Sequence, residues 1–270
     1  MPSLYIVSTP IGNLEDITLR AIRVLNDVDI IAAEDTRVTR KLLSHYKIHT
    51  RVTSYNEHNK SLKIPRLVDS LSKMDIALVS DAGTPTINDP GVELVRAVIR
   101  QGFEVVPVPG PSAVTTALSV SAFSGKQFLS LGFLPNKKSE RKTFLKTIEN
   151  TEYTTVFFEA PHRLKQTLKE LSGVIGNRNI TVLREATKYF EEIFYGTVAS
   201  CELHFDKPKG EFTVVIEGST QKEHISDHDI VLMLTELLKE GVSMKDARET
   251  LAQEMNVSKR DLYRLSLSMK

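Results

Sequence analysis

The stretch at 81–91, Asp-Ala-Gly-Thr-Pro-Thr-Ile-Asn-Asp-Pro-Gly, joins an apolar run at 76–79 to an amphipathic run at 92–100. The apolar run is typical of a buried strand and the amphipathic run of a helix. A loop of this kind lies at the carboxyl edge of a parallel sheet, where ligands bind. We expect Gly83 to let the backbone approach a ligand closely and Pro85 to stiffen the loop.

Two more loops repeat this arrangement. The stretch at 9–16 follows the first predicted strand, and Pro-Gly-Pro-Ser at 109–112 follows a later one. Three Gly/Pro loops that each leave a strand and enter a helix predict one shared pocket, although any single loop could be an ordinary turn. We also expect Asp16 and Asp89 to cap the helices that follow, with Pro90 at a first helical position.

Strands and helices alternate regularly only in the first half of the chain. That half has predicted strands at 4–7, 29–33, 52–55, 75–80 and 103–108, which favours a parallel α/β sheet. Near Phe133 the pattern changes, and the polar, basic stretch at 135–142 is expected to be a linker or lid. Beyond it the alternation is less regular, which favours a mixed sheet, with predicted strands at 154–158, 180–183, 192–195 and 212–216.

We therefore predict an α/β protein with three parts. An N-terminal α/β domain spans 1–122, a second α/β domain spans 123–222, and a helical extension spans 223–270. In the extension, apolar residues recur at helical spacing in three short segments separated by turn residues.

Charge and cysteine content narrow the classes of function. The net charge of +1 carries no global nucleic-acid signature, so contact with RNA would need a local basic patch. Cys201 is the single cysteine, which excludes an internal disulfide and a multi-cysteine zinc site, and we expect it to be buried in a helix. The histidines are scattered and no metal site is expected. No apolar run reaches membrane-spanning length and no signal-peptide pattern opens the chain, which predicts a cytoplasmic location.

Short motifs follow one another in order along both halves. They begin at Thr9 (Thr-Pro-Ile-Gly-Asn-Leu), Ala33 (Ala-Glu-Asp-Thr-Arg), Ser80 (Ser-Asp-Ala-Gly-Thr-Pro), Asp89 (Asp-Pro-Gly) and Pro109 (Pro-Gly-Pro-Ser-Ala). This set resembles the tetrapyrrole-methylase superfamily of S-adenosylmethionine-dependent methyltransferases. In the second half, Phe-Glu-Ala-Pro-His-Arg, Thr-Lys and Lys-Gly-Glu-Phe, which begin at Phe158, Thr187 and Lys209, resemble more closely the branch that methylates the ribose 2′-hydroxyl of a cytidine in small-subunit ribosomal RNA.

The resemblance runs from about residue 4 to 218, and Asn88 and Ala160 stand where that family commonly has serine. It implies two α/β domains with S-adenosylmethionine in the cleft between them, a homodimer and no metal, while the lack of a long apolar run indicates no membrane. The implied partner is small-subunit (16S) ribosomal RNA, free or in the assembled 30S subunit. The implied donor-binding residues are Pro10, Gly12, Asn13, Asp81, Ala82, Gly83, Thr84, Pro85, Pro109, Gly110, Pro111, Ser112, Phe158, Gly210 and Glu211.

A ribose hydroxyl is a weak nucleophile, so a base or an electrostatic helper would assist its attack. The candidates are Glu34, Asp35, Glu159, Glu185 and Lys188, of which Glu34, Asp35 and Lys188 are preferred. Glu34 and Asp35 are adjacent acids at a predicted strand end. The alternative is that Asp35 caps the next helix and Glu34 pairs with Arg37.

Basic residues that could meet the RNA backbone cluster at 37–41, 137–142 and 162–163. The cluster at 137–142 could instead be a solvated linker, and the one at 162–163 could serve packing and capping at a helix start. Together the predicted RNA contacts are Arg37, Arg40, Lys41, Lys137, Lys138, Arg141, His162 and Arg163. Two other functions stay open: methylation of a tetrapyrrole ring carbon by the same donor loops, and RNA binding without catalysis.

Overall fold

The computed structural model of the chain describes residues 2–219, 227–254 and 259–268. The chain divides into two compact units, Met1–Gly218 and Ser219–Lys270. The first unit contains two five-stranded sheets. Residues 223–226, 255–258 and 269–270 of the predicted helical extension lie outside the described residues.

The first sheet is parallel throughout, as the regular alternation predicts. The elements are β1 (Ser3–Val7), α1 (Leu19–Asp27), β2 (Ile30–Ala33), α2 (Thr36–His45), β3 (Arg51–Ser54), α3 (Lys60–Ser70), β4 (Ile76–Val79), α4 (Val92–Arg100), β5 (Glu104–Val108) and α5 (Ala113–Val120). The order of the strands in the sheet is β3-β2-β4-β1-β5. Helices cover both faces: side chains of α1 and α2 pack on one face, and those of α3 and α4 on the other. Because β2 and β4 are covered on both sides, they are apolar and buried along their whole length.

The second sheet is mixed, which is also as predicted. The elements are β6 (Phe128–Phe133), α6 (Lys138–Asn150), β7 (Thr154–Glu159), α7 (Pro161–Ile175), β8 (Asn179–Arg184), β9 (Glu192–Thr197), α8 (Val198–His204) and β10 (Phe212–Ile216). The order of the strands is β6-β7-β10-β8-β9, and only β6 and β7 run parallel. The core of this half includes Leu164, Leu168 and Leu171 of α7, and Cys201 of α8, where burial raises the pKa of the thiol to about 12.

Two elements differ from the sequence-based expectations at the start of this half. The prediction of a linker at 135–142 is wrong, because that stretch runs into helix α6. The polar stretch is the solvated first half of an amphipathic helix, whose later residues Leu145 and Ile148 are buried in the core. Strand β6 is not predicted at all, since its side chains are mostly half-buried or exposed at a sheet edge.

Two predicted helix caps are also wrong. Asp16 lies in a short 3₁₀ turn, and Thr18 caps α1 by accepting a hydrogen bond from the backbone N–H of Ala21 at 3.0 Å. Helix α4 begins after Gly91, whose φ is 148°, and not at Asp89. Asp89 is thereby free to line the cleft described below.

The second unit has its own apolar core. In its described part, α9 (Asp227–Lys239), α10 (Met244–Glu254) and α11 (Lys259–Ser268) contribute Ile230, Leu234, Leu251, Leu262 and Leu265. These helices follow the predicted helical spacing. Across the described ranges, no helix combines the length and apolar character that crossing a membrane requires.

Candidate functional site

The three Gly/Pro loops meet at the carboxyl ends of β4, β1 and β5, which are neighbours in the first sheet. The backbones of Thr9 and Gly83 exchange two hydrogen bonds, of 2.8 and 3.0 Å, and Gly83 has a φ of 77°. The hydroxyl groups of Ser8 and Thr84 lie 3.0 Å apart, and the Thr84 hydroxyl also donates to the carbonyl of Pro111 at 3.3 Å. The loops are therefore locked to one another, and their predicted convergence on one pocket is confirmed.

A cleft of about 460 Å³ opens between these loops and the second sheet. Among the described residues that line it, five are acidic and none is lysine, arginine or histidine. Its lining comprises Ile11, Glu34, Asp81, Ala82, Gly83, Thr84, Ile87, Asn88, Asp89, Ser112, Ala113, Val114, Phe133, Phe158, Glu159, Ala160, Pro161, Leu183, Ala186, Glu211, Phe212 and Thr213.

Seven predicted donor-binding residues line the cleft: Asp81, Ala82, Gly83, Thr84, Ser112, Phe158 and Glu211. The other eight do not line it, namely Pro10, Gly12, Asn13, Pro85, Pro109, Gly110, Pro111 and Gly210. Among these, Gly12 packs so tightly that an added Cβ would lie 2.7 Å from the carbonyl oxygen of Ala186, and the Asn13 N–H donates to the Thr187 hydroxyl at 3.0 Å. These two residues hold the first loop against the turn between β8 and β9.

Several apolar lining residues were not predicted. Phe133 and Leu183 come from the second sheet, and Ile11 and Ile87 come from loops already singled out. Phe212 also lines the cleft, and it ends the Lys-Gly-Glu-Phe motif that carries part of the family resemblance. Leu183 and Phe133 are ordinary strand residues, and nothing in their local sequence distinguishes them.

Glu34 lies just beyond the end of β2 and lines the cleft. One of its carboxylate oxygens accepts a hydrogen bond from the N–H of Asp81 at 3.3 Å. Burial raises the pKa of Glu34, the bond from Asp81 opposes the rise, and the charges of Asp89, Asp81 and Asp35 add to it. Glu34 is therefore a more basic carboxylate than an ordinary glutamate.

Asp35 is the N-cap of α2 and does not line the cleft. Its carboxylate accepts from the backbone N–H of Arg37 at 2.8 Å and pairs with the Arg37 guanidinium at 2.6 Å. These two contacts lower the pKa of Asp35 to about 2. Asp35 therefore caps α2, as the alternative prediction states. The predicted ion pair between Glu34 and Arg37 is wrong, because Arg37 pairs with Asp35.

Lys188 is held between two carboxylates beside the cleft. Its ammonium lies 3.1 Å from Glu185 and 3.0 Å from Glu211. Burial alone would lower the pKa of Lys188, but the hydrogen bonds to Glu211 and Glu185 outweigh it and raise the pKa. A lysine that stays protonated cannot take up a proton, so Lys188 can act only through its positive charge.

Glu159, also a candidate base, lies at the end of β7 and is buried. Its carboxylate accepts from the N–H of Ala160 at 2.8 Å, from Nε of Arg163 at 2.6 Å and from the hydroxyl of Thr167 at 2.6 Å. A guanidinium nitrogen of Arg141 lies 4.0 Å away. These contacts take up most of the hydrogen-bonding capacity of the carboxylate and fix it as a structural group.

Two predicted RNA-contacting arginines belong to this network. Arg163 also donates to the carbonyl of Leu134 at 2.6 Å and to the side chain of Asn136, and Arg141 donates to Thr167 at 2.8 Å. Their guanidinium groups are therefore engaged inside the protein, and the geometry argues against direct RNA contacts for both. Other predicted contact residues are exposed: Arg37, Arg40, Lys41, Lys137, Lys138 and His162. Arg37 and Lys137 each pair with a neighbouring acid.

Strained backbone surrounds the cleft. Thr86 and Asn88 in the central loop have positive φ angles of 73° and 65°, and Glu185 and Thr187 in the β8–β9 turn have angles of 48° and 63°. Such angles cost free energy and persist only where the surroundings impose them. Both turns at the cleft are therefore held in fixed conformations.

The model for tetrapyrrole (corrin/porphyrin) methylases matches residues 3–202. A protein of Halalkalibacterium halodurans called ribosomal RNA small subunit methyltransferase I is 43% identical over 281 residues, which cover 97% of this chain and 94% of that protein. A Thermotoga maritima protein of the same name is 47% identical over 221 residues, which cover 81% of this chain and 99% of that protein. Among solved structures, a diphthine synthase is 13% identical with a TM-score of 0.64 over 80% of this chain and 90% of that one, which shows the fold alone.

Proposed function

Because this chain belongs to the tetrapyrrole (corrin/porphyrin) methylases, we propose that it transfers a methyl group from S-adenosylmethionine to the ribose 2′-hydroxyl of a cytidine in small-subunit (16S) ribosomal RNA. Relatives 43% and 47% identical that carry the name ribosomal RNA small subunit methyltransferase I support the acceptor. The observation that carries the proposal is the cleft, where locked Gly/Pro loops face an apolar wall and the lining is acidic.

The chemistry of the cleft fits the donor. S-adenosylmethionine carries a sulfonium and an ammonium group, and carboxylates stabilise such cations at short range. Asp81 and Asp89 supply these charges, while Phe133 and Phe158, whose ring centres lie 5.3 Å apart, offer apolar surface to a flat base. When bound, the donor supplies a methyl group that is already activated for displacement, so this chain mainly has to align the acceptor.

We assign Glu34 as the general base that accepts the proton of the 2′-hydroxyl. It is the only one of the three preferred candidates that lines the cleft, and its pKa is raised. Asp35 is too weak a base, because its pKa is lowered to about 2. Asp35 instead caps α2, which begins directly after it, and Lys188 fixes the β8–β9 turn by binding Glu185 and Glu211.

Binding of the RNA would involve basic side chains around the cleft, for which exposed Arg40 and Lys41 on α2 and His162 at the start of α7 are suited. The homodimer, the assembled 30S subunit as substrate and the cytoplasmic location also belong to this proposal. So does the division at residue 122, which is supported by the change from the first sheet to the second between α5 and β6.

Two other functions share parts of this site. Methylation of a tetrapyrrole ring carbon would use the same donor loops, but the relatives with 43% identity carry an RNA methyltransferase name. An RNA-binding module without catalysis would have no need of three loops locked around an acidic cleft. Neither alternative is favoured by an observation of its own.

The test is methyl incorporation from labelled S-adenosylmethionine into small ribosomal subunits from cells that lack this protein, followed by digestion of the RNA and identification of the nucleoside. We expect 2′-O-methylcytidine. Donor binding without incorporation into any RNA would overturn the RNA acceptor and point to a small molecule. An absence of donor binding would overturn the assignment of the cleft.

A further inference from the structure

A second groove, of about 520 Å³, lies between helices α6 and α7. We infer that this groove binds the phosphate backbone of the RNA beside the acceptor nucleotide, an inference that rests on the proposed function. The lining residues that carry the argument are Lys138, Lys142 and Lys146 on α6 and Arg141, Arg163 and Glu170 around them.

The three lysines form one row along α6. They are spaced four residues apart, so they lie on the same face of the helix, and their ammonium groups follow a line of about 12 Å. All three are exposed. Within the described residues, no carboxylate lies within 4.0 Å of any of them. The row therefore presents uncompensated positive charge to solvent.

The surface lysines of the facing helix, α7, lie close to acidic side chains. Lys165 on α7 lies 2.6 Å from Asp206, and Lys169 lies 3.9 Å from Glu202. These charges are compensated within the protein. Because surface lysines of α7 pair with acids while those of α6 do not, the row on α6 is available for an anion from outside.

The arginines make the floor of the groove rigid. Arg141 binds Glu170 and Thr167, and Arg163 binds Glu159. Glu170 is therefore occupied by Arg141 and repels an incoming phosphate less than a free carboxylate would. Glu149 also lines the groove, but the lining retains more cations than acids. The arginines position the two helices and the lysines are left to meet the phosphates.

The groove adjoins the cleft through one ion pair. Glu159 lines the cleft, and its partner Arg163 lines the groove, with a 2.6 Å hydrogen bond between them. An RNA strand in the groove would therefore lie beside the cleft. Charge separates the two sites, since the cleft is acidic and suits the cationic donor, whereas the groove is basic and suits a polyanion.

The test compares two triple variants of the full-length protein that lose the same charge. One is Lys138→Gln with Lys142→Gln and Lys146→Gln; the other is Arg23→Gln with Lys73→Gln and Arg100→Gln, which changes exposed residues of the first half away from the cleft lining. Binding to unmethylated small ribosomal subunits is measured over a range of salt concentrations, together with the KM for the subunits and the dissociation constant of S-adenosylmethionine.

We expect the α6 variant to bind the subunits at least about tenfold more weakly and to reduce the slope of log K against log salt by about 2, since each lost phosphate contact removes about 0.7. Donor affinity should stay within twofold, and the control variant should match the wild type. Equal slopes for the α6 variant and the wild type would overturn the groove, as would an equal loss in both variants. Binding is measured without turnover, so the two proposals can fail separately. If the wild type binds subunits but methylates none, the proposed function is contradicted, whereas the comparison of salt slopes still shows whether the groove binds RNA.

Discussion

The two walls of the cleft each contribute a glutamate from the end of a strand, and the two side chains are used in opposite ways. Glu34, from the first sheet, has one backbone hydrogen bond and acidic neighbours. Glu159, from the second sheet, accepts three hydrogen bonds and lies beside a second arginine. A carboxylate held by three hydrogen bonds and a neighbouring cation stabilises structure, whereas one with a single hydrogen bond and a raised pKa can exchange a proton.

The walls also differ in how they are held. The first wall is locked by its own backbone, through the Thr9–Gly83 bridge, and by the hydroxyl contact of Ser8 with Thr84. The second wall depends on side chains, through the network around Glu159 and the clamp on Lys188. Substitution of Glu34 on the first wall should therefore reduce activity, whereas substitution of Glu159 on the second wall should reduce stability.

The largest expected effect is on catalysis at Glu34. Glu34→Gln keeps the shape and the acceptor oxygen but removes the base, so methyl transfer should fall about 10²- to 10⁴-fold in kcat. The fold and donor binding should persist, as checked by thermal unfolding and calorimetry. Asp35→Asn is the matched control and should lose much less, because the pKa of Asp35 is lowered to about 2 and its side chain serves as a cap. A Glu34→Gln enzyme within tenfold of the wild type would show that Glu34 is not the base.

Substitution of Glu159 on the second wall should reduce the stability of the protein. Glu159→Gln leaves Arg163 and Arg141 without their buried anion, which should lower the free energy of unfolding by about 3–5 kcal/mol. Urea denaturation measures this. Glu140→Gln, which removes only the exposed pair with Lys137, should cost under about 1 kcal/mol. Equal costs for the two substitutions would break the contrast between the walls.

A smaller effect is expected where the walls touch. An added Cβ at Gly12 would lie 2.7 Å from both the Ala186 carbonyl oxygen and the Thr187 hydroxyl oxygen. Gly12→Ala should therefore destabilise the protein by about 1–3 kcal/mol and weaken donor binding as the loop shifts. Gly173→Ala, in the exposed interior of α7 with nothing within 4 Å, should instead stabilise it by about 0.5–1 kcal/mol. Urea denaturation gives the free energy of unfolding of both variants. A Gly12→Ala protein as stable as the Gly173→Ala protein would contradict the close packing at Gly12.

The smallest expected effect concerns pH. Burial raises the folded-state pKa of Glu34 above its value in the unfolded chain. As pH rises between those two values, the unfolded state loses its proton first, so the wild type should lose a little stability across that interval. Glu34→Gln should lack this decline, and kcat of the wild type should rise with pH through the folded-state pKa. A pH-independent difference in stability between the two proteins would contradict the raised pKa.

Much of the fold could be predicted from local patterns. Apolar runs and amphipathic spacing located most of the strands and helices, and α4, β7 and β10 were placed almost to the residue. The Gly/Pro loops pointed to the cleft because the carboxyl ends of parallel strands share one edge. Helix α6 was mistaken for a linker because its polar first turns precede the apolar residues that anchor it.

The sequence by itself determined the order of the elements, the three loops and the family motifs, since these depend on neighbouring residues. The tertiary structure alone decided that β10 inserts between β7 and β8, that Asp35 rather than Glu34 binds Arg37, and that Arg141 and Arg163 are used internally. Strand order and the choice among competing hydrogen-bond partners depend on residues far apart in the chain or on alternative side-chain geometries. Local sequence carries little information about either, because their free energies are settled only when the packed fold excludes the alternatives.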